Sequence, residues 1–261
     1  MDVLIDKREL LEKARERNLS LVMIEKDYVL GWALFGFSRV PSLVFKGGTA
    51  LSKIYFAETW RLSEDLDFSL IEGEWDDLKH PLPKLLKALA KECGIDFRLA
   101  NVFGNPGYLQ LKIQYAGPIG RNWIKVDIRK DDLVDTPENK KVARAYSDYP
   151  DFTLRVENLA EICASKIRTL IERRKCRDYF DLWKLLGLEI DVERMKRILP
   201  KKLAVKGLTT VDLVRMFPDD LPETLQPYWD RELSRLVEPV PEMSVVLEEL
   251  RQRLMVMAPL S

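Results

Sequence analysis

The stretch Ser42-Leu-Val-Phe-Lys-Gly-Gly-Thr-Ala-Leu-Ser-Lys-Ile54 decides how the first part of the chain folds. It starts with a short, mainly apolar run that fits a buried strand, and from Ala50 onward its composition is typical of a helix start. Gly47 and Gly48 lie between these two parts, where glycines mark a tight turn. The stretch therefore predicts a strand, a tight turn and a helix in direct succession.

A second predicted strand carries two aspartates on one face. Polar and apolar residues alternate strictly in Asp65-Leu-Asp-Phe-Ser-Leu70, and alternate side chains of a strand point to the same side. Asp65 and Asp67 therefore lie side by side. Carboxylates in this arrangement can bridge two magnesium ions about 3.5–4 Å apart, as in phosphoryl-transfer sites. The pair predicts a site for Mg²⁺ or Mn²⁺.

A third carboxylate and the glycine turn complete the predicted site. Asp127 lies among alternating apolar residues in Trp123-Ile-Lys-Val-Asp-Ile128, where an inward-facing charge is costly unless it is paired or metal-bound. Gly47 and Gly48 allow the backbone to approach a phosphate closely, and Thr49 adds a hydroxyl. Each signal is weak alone, but their order along the chain is specific, because each element has the structural context that its chemistry needs.

The remaining pattern predicts an α+β domain over residues 1–153 and a mainly helical domain over residues 154–261. The first domain combines a mixed sheet with flanking helices, and the second is helical with prolines as breaks. The elements predicted for the first domain are helices at 7–17, 20–37 and 77–92, and antiparallel strands at 95–102, 107–115 and 121–129.

Composition excludes several other classes of protein. Lysine plus arginine and aspartate plus glutamate number 42 each, so no overall charge draws the chain to nucleic acid or to a membrane surface. A single histidine makes histidine-rich zinc sites and Ser-His-Asp triads poor candidates. Three cysteines without metal-binding spacing fit a reducing compartment. With neither a signal peptide nor a long apolar run, these features predict a soluble cytoplasmic protein without a membrane partner.

The motifs also resemble a known family. Four blocks of the sequence are similar to the AbiEii/AbiGii-type nucleotidyltransferase toxins, a branch of the polymerase-β-like nucleotidyltransferases, and the resemblance covers roughly residues 20–187. These blocks are Ile24–Tyr28, Phe45–Lys53, Arg61–Phe68, and the pair Ala164–Lys166 and Arg177–Leu182. The resemblance implies a nucleotidyltransferase-like mixed sheet, followed by a helical domain that closes over the nucleotide.

The resemblance also implies an activity and a set of residues. It implies metal-dependent transfer of a nucleotide from a nucleoside triphosphate to a cellular acceptor, such as the tRNA 3′ end, by a toxin that a separate antitoxin protein restrains. It further implies that Lys166 contacts the phosphates and that Asp181 belongs to the active centre. Two alternatives stay open, namely transfer to protein hydroxyls and a nucleotide-binding module without catalysis.

A basic run between Lys166 and Arg177 has two interpretations. It is either a solvated helix face or, at Lys166, a contact for phosphate. Lys166 and Asp181 would lie about 22 Å apart on an unbroken helix, so sharing a site requires a turn around residues 173–176. That turn would place Asp178 near the start of the returning helix, as a cap.

Three further basic side chains lie near the predicted site. Arg61 either holds the carboxylate pair through a charge-assisted hydrogen bond or is exposed. Lys46 and Lys53 flank the glycine turn, and each faces either phosphate or solvent.

Overall fold

The computed structural model describes residues 5–57, 61–130 and 133–257, which divide into two compact units. The first unit comprises Met1–Leu133 and Pro137–Val156, and the second comprises Val134–Thr136 and Glu157–Ser261. The short segment 134–136 thus belongs to the second unit, although its neighbours on both sides belong to the first.

In the described part of the first unit, seven strands form one mixed sheet in the order β3-β4-β5-β2-β1-β7-β6. Strand β1 pairs antiparallel with β2 and parallel with β7, and β2 pairs parallel with β5. The predicted α+β fold class and the predicted antiparallel strands are confirmed. The strands are β1 (Leu43–Lys46), β2 (Asp65–Leu70), β3 (Asp96–Asn105), β4 (Tyr108–Ala116), β5 (Arg121–Lys130), β6 (Glu138–Lys141) and β7 (Thr153–Val156).

Helices cover one face of this sheet. Helix α2 is apolar on all sides from Tyr28 to Phe37, which accounts for the burial of this part, and α5 presents an apolar stripe that includes Leu86 and Leu89. Helix α5 packs on β3, and α2 packs on β2 and β5. The helices of this unit are α1 (Lys7–Glu16), α2 (Leu21–Phe37), α3 (Gly47–Ala50), continued by a π-helical turn at Leu51–Tyr55, α4 (Trp75–Lys79) and α5 (Leu82–Cys93).

Charged residues near the start of α2 fasten this helix to the rest of the unit. The Glu25 carboxylate accepts hydrogen bonds from the amides of Ile119 and Gly120 at 2.6 and 3.0 Å. Asp27 is buried and forms an ion pair of 2.7 Å with Lys53, which is buried as well. The interpretation of Lys53 as solvent-exposed is therefore wrong, and the structure gives its charge a structural partner.

The described part of the second unit is helical, as predicted. Asn158, Asp191 and Asp212 cap the starts of three of its helices by accepting backbone N–H bonds. In the part of the chain that the structure describes, no helix is both long and apolar enough to cross a membrane. The helices are α6 (Leu159–Glu172), α7 (Cys176–Leu185), α8 (Val192–Ala204), α9 (Leu213–Met216), α10 (Leu221–Leu233) and α11 (Met243–Met257).

A buried ion cluster joins α6, α8 and the segment 134–136. Lys202 is fully buried, and its ammonium lies 2.8 Å from the Glu161 carboxylate and 3.4 Å from that of Glu157. Glu161 also accepts hydrogen bonds from the amides of Val134 and Asp135. The lysine thus compensates two buried carboxylates, one of which anchors the segment to the helices.

Candidate active site

The glycine turn lies directly against the carboxylate strand. Gly47 has a φ of +77°, in the left-handed region that glycine adopts readily and other residues rarely adopt. A Cβ atom at this position would lie 2.8 Å from an Asp67 carboxylate oxygen. Any other residue would therefore be strained at position 47 and would also displace the Asp67 side chain.

Thr49 supports the start of the carboxylate strand. Its buried hydroxyl donates to the backbone carbonyl of Asp65 and lies 2.7 Å from the Ser63 hydroxyl. These contacts give Thr49 a role in positioning Asp65. Its predicted contact with the nucleotide, like those of Gly47 and Gly48, stays a prediction.

Strand pairing brings the three predicted carboxylates together. Strands β2 and β5 run parallel, and their register places Asp67 directly beside Asp127 and Asp65 beside Lys125. Neighbouring strands lie about 4.8 Å apart, and residues two apart share a face. Asp65, Asp67 and Asp127 therefore form a compact group on one side of the sheet, which we call the carboxylate group.

Lys125 lies within this group, although no sequence motif singles it out. Its ammonium is 3.3 Å from an Asp65 carboxylate oxygen and 3.0 Å from one of Asp127. The other Asp127 oxygen accepts hydrogen bonds from the Tyr108 hydroxyl at 2.7 Å and the Gln110 amide at 3.0 Å. The strand alternation that selected Asp127 also places Lys125 on the same face, so this signal was available in the sequence.

The environments of the aspartates shift their pKa values in opposite directions. Burial, together with the charges of Asp127 and Asp65, raises the pKa of Asp67. Burial alone would also raise the pKa of Asp127, but hydrogen bonds from Tyr108, Lys125 and Gln110 outweigh it and lower that pKa. Asp67 is thus the carboxylate whose ionised form the environment disfavours, and a bound cation would stabilise that form.

The chemistry of the group suits magnesium, but its present arrangement is not a formed metal site. Carboxylate oxygens are the ligands that Mg²⁺ prefers, and a cation would favour the ionised form of Asp67, which burial and two neighbouring carboxylates disfavour. Within residues 5–57, 61–130 and 133–257, no group of three or more His, Cys, Asp or Glu side chains has metal-binding geometry. Lys125 supplies the positive charge between Asp65 and Asp127.

A second cluster lies in the helical unit, around Lys166. Helix α6 ends at Glu172 and α7 begins at Cys176, so the turn predicted near residues 173–176 is confirmed. The Lys166 ammonium lies 2.7 Å from an Asp181 oxygen and 3.4 Å from an Asp178 oxygen. The turn therefore brings Lys166 and Asp181 together, as sharing a site requires.

The prediction that Asp178 caps α7 is wrong. The N-cap is Lys175, which makes no side-chain cap bond, and Asp178 lies in the first turn of the helix, near its start as predicted. Its carboxylate accepts a hydrogen bond from the Arg173 guanidinium at 2.9 Å. Burial would raise the pKa of Asp178, but the charges of Lys166 and Arg173 lower it. Asp178 is thus an ion-pair partner that holds Lys166 and Arg173 in place.

The other basic residues have mixed environments. Residues 173–175 are exposed but lie in the turn between α6 and α7, whereas Arg168, which is on α6, is buried and donates to the carbonyl of Lys202. Arg61 is buried and donates to the carbonyl of Leu62, so its interpretation as an exposed residue is wrong. Lys46 is buried and donates to the Ser69 hydroxyl at 2.9 Å, which also contradicts solvent exposure.

Sequence comparison decides the family. A family described as "Nucleotidyl transferase AbiEii toxin, Type IV TA system" matches residues 32–254, which is most of the chain. The chain belongs to the AbiEii nucleotidyltransferase toxin family. The match extends well past residue 187, where the motif resemblance ends, and it includes α8 to α10 and most of α11.

Solved structures share the AbiEii toxin fold seen here. MenT4, a nucleotidyltransferase toxin from Mycobacterium tuberculosis H37Rv, is similar with a TM-score of 0.71 and 21% identity, over 95% of this chain and 88% of its own. JHP933 from Helicobacter pylori is similar with a TM-score of 0.62 and 18% identity, over 92% of this chain and 94% of its own. Among curated protein sequences, none is significantly similar to the chain.

Proposed function

We propose that this AbiEii toxin transfers a nucleotide from a nucleoside triphosphate to an RNA acceptor, the tRNA 3′ end, in a reaction that depends on Mg²⁺ or Mn²⁺. The observation that carries the proposal is the strand register that places Asp67 beside Asp127, with Gly47 against Asp67. Membership of a type IV toxin–antitoxin family implies an antitoxin partner. The buried free thiols of the three cysteines support a cytoplasmic location.

In the proposed reaction, the acceptor hydroxyl attacks the α-phosphorus and pyrophosphate leaves. Asp65, Asp67 and Asp127 would hold the divalent ions, which supply positive charge to the triphosphate and to the attacking oxygen. Asp127 serves as a ligand or as the base that takes the hydroxyl proton.

The backbone and one lysine supply the remaining contacts in this proposal. The amides at Gly47 and Gly48 approach the phosphates, which the absence of a Cβ permits. Lys166 contacts the phosphates as well, and Asp181 orients its ammonium, which lies 2.7 Å from the Asp181 carboxylate. Asp178 provides the second carboxylate that limits the movement of this ammonium.

Incubation with radiolabelled nucleoside triphosphates tests the proposal. The purified full chain is incubated with each triphosphate, total RNA and Mg²⁺, beside an Asp65→Ala/Asp67→Ala variant. Asp76→Ala is the control, because Asp76 is an exposed aspartate outside the carboxylate group, with its carboxylate 3.5 Å from the Lys79 ammonium. We expect label in the RNA of the wild type and the control alone.

Equal label with the double variant would contradict the proposal, and label in protein bands would favour transfer to protein hydroxyls. Nucleotide-dependent thermal stabilisation without any turnover would favour a binding module.

The affinity for Mg²⁺ should depend on pH through Asp67. Because burial and two neighbouring carboxylates raise the pKa of Asp67, it takes up a proton at a pH where an exposed aspartate is still ionised. A protonated carboxyl is a poor ligand, so Mg²⁺ binding should weaken as pH falls from about 7 toward 4.

The same shift predicts the pH dependence of stability. The folded protein binds this proton more tightly than the unfolded chain does, so the contribution of Asp67 is present at low pH and is lost as pH rises through its raised pKa. Calorimetric titration with Mg²⁺ across this range measures the first effect, and thermal unfolding without metal measures the second. Mg²⁺ affinity that does not change with pH would contradict the role of Asp67.

A further inference from the structure

The sheet has a second face near the carboxylate group that the helices leave uncovered. In β4 and β5, one set of alternate side chains is buried, and the other set is exposed or half-buried. The cross-strand pairs assign the residues of β3 to the same two sides past an irregularity between Leu99 and Asn101, although residues 100–105 are exposed on both sides. We call the uncovered side of β3, β4 and β5 the open sheet face.

Strand register connects this open sheet face to the carboxylate group. One row of directly paired residues runs Phe103, Gln110, Asp127 and Asp67, from β3 through β4 and β5 to β2. At about 4.8 Å per strand, Phe103 lies about 10 Å from Asp127. A polymer that places its terminal hydroxyl at Asp127 can therefore lay its adjoining units along this row.

Two aromatic side chains lie on the open sheet face with large exposed areas. Phe103 is 61% exposed and Trp123 is 39% exposed. The Lys112 ammonium lies 4.4 Å from the centre of the Trp123 ring, and that of Lys26 lies 5.2 Å from it. The face thus presents stacking surfaces and positive charge together, which is the combination that binds bases and phosphates of single strands.

The charge of the open sheet face differs from that of the whole chain. The strand register assigns five basic and two acidic side chains to this face, whereas the chain as a whole is neutral. One of the two acidic residues, Asp127, belongs to the carboxylate group. The five basic residues are Arg98, Lys112, Arg121, Lys125 and Arg129, and the other acidic residue is Asp96.

We propose that the open sheet face binds the single-stranded 3′ segment of the RNA acceptor, an inference that rests on the proposed function. Phe103 and Trp123 stack on bases next to the 3′ terminus, and Lys112 contacts a phosphate. The terminal hydroxyl then lies at Asp127, two strands from Phe103 along the same row. Charge complementarity favours a polyanion over a protein, because the basic excess coincides with the exposed rings.

Binding of a short single-stranded RNA, labelled with fluorescein at its 5′ end and ending in a free 3′ hydroxyl, tests the proposal by anisotropy. We expect Phe103→Ala and Trp123→Ala each to weaken binding at least about 5-fold, the lower limit for loss of one stacked base. Phe103→Tyr should retain binding, because it retains a ring. Lys112→Gln should reduce the slope of log affinity against log salt concentration by about 0.7.

Tyr228→Ala is the matched control. Tyr228 is 44% exposed and has the Arg231 guanidinium 4.8 Å from its ring centre, so it resembles Trp123 in exposure and in its cationic neighbour. Tyr228 lies on α10 and is not part of the open sheet face, so Tyr228→Ala should bind RNA like the wild type. Equal affinity for the wild type, Phe103→Ala and Trp123→Ala would overturn the proposal, as would equal binding of a fully double-stranded RNA.

The binding assay separates this proposal from the proposed function. Asp67→Asn should still bind the oligonucleotide while it fails to transfer nucleotide. RNA binding through Phe103 and Trp123 without transfer to RNA by the wild type would refute the function and keep the surface. Transfer to RNA that neither Phe103→Ala nor Trp123→Ala affects would support the proposed function and refute the role of the open sheet face. Labelled protein with no oligonucleotide binding would refute both.

Discussion

Replacing Asp67 by asparagine should abolish nucleotidyl transfer and also raise the melting temperature of the metal-free protein. Burial and the charges of Asp127 and Asp65 disfavour the ionised form of Asp67, so its carboxylate destabilises the fold at neutral pH. Asparagine removes this charge and preserves the shape of the side chain beside Gly47. Loss of the carboxylate removes a proposed metal ligand, for which we expect a fall in rate of at least about 10³-fold.

Thermal unfolding with and without Mg²⁺ measures the stability effect, and the labelled-nucleotide assay measures the rate. Removal of repulsion should raise the melting temperature by roughly 2–4 °C for each kcal/mol gained. Mg²⁺ should then stabilise the wild type, because it binds the folded state, and leave Asp67→Asn unchanged. Asp76→Asn on the exposed surface serves as the control and should change neither quantity. A melting temperature below that of the wild type would show that Asp67 stabilises the fold, contrary to this account.

Local pattern was enough to predict the elements that carry the carboxylate group. Strict alternation predicted β2 at its observed residues, whereas Gly47 and Gly48, predicted as a tight turn before a helix, are the first residues of α3, which follows β1 directly. These signals are local, since side-chain direction in a strand and a positive φ at glycine depend on neighbouring residues alone. Asp127 was predicted to join the pair because a charge in an apolar strand is costly unless it is paired or metal-bound, and the register places it beside Asp67.

Contacts between distant parts of the chain were not predictable in the same way. Lys53 and Asp27 are 26 residues apart, and nothing in either segment shows that they form a buried ion pair. The same holds for Tyr108 at Asp127, because the register of β4 against β5 determines this contact. Strand register depends on the whole sheet, so a pattern within one strand cannot supply it.

The turn between Lys166 and Asp181 was predictable from the sequence, but the side-chain contacts at this turn were not. The rise per residue of an α-helix would separate Lys166 and Asp181 by about 22 Å on one straight helix, too far for a shared site. A shared site therefore required a turn, and the structure contains this turn. The helix rise did not predict how Asp178 is used, because the position of Asp178 in the first helical turn was compatible with a cap. In the structure, Arg173, which lies in the turn itself, donates a hydrogen bond to the Asp178 carboxylate. The sequence thus predicted the turn, and the structure shows which side chains pair at it.

Lys202→Met should destabilise the helical unit more than any other single substitution discussed here. The Lys202 ammonium is 0% exposed and compensates the carboxylates of Glu157 and Glu161, which are buried as well. Methionine preserves much of the side-chain volume but removes the ammonium that lies between the two buried carboxylates. Breaking a buried ion pair by removing one partner destabilises a protein by about 3–5 kcal/mol. Urea unfolding followed by the helical circular dichroism signal measures the loss.

The variant Lys196→Met, in the same helix α8, tests whether the loss of stability in Lys202→Met comes from the burial of the ion pair or from ion pairing as such. Lys196 lies 2.7 Å from Glu193, a separation close to that of Lys202 from Glu161, but Glu193 is largely exposed. An exposed pair contributes less than about 1 kcal/mol, so this variant should unfold almost like the wild type. Adding Glu157→Gln to Lys202→Met should recover part of the stability, because it removes one uncompensated charge. Equal losses for Lys202→Met and Lys196→Met, or no recovery in the double variant, would show that packing rather than charge compensation holds α8 against α6.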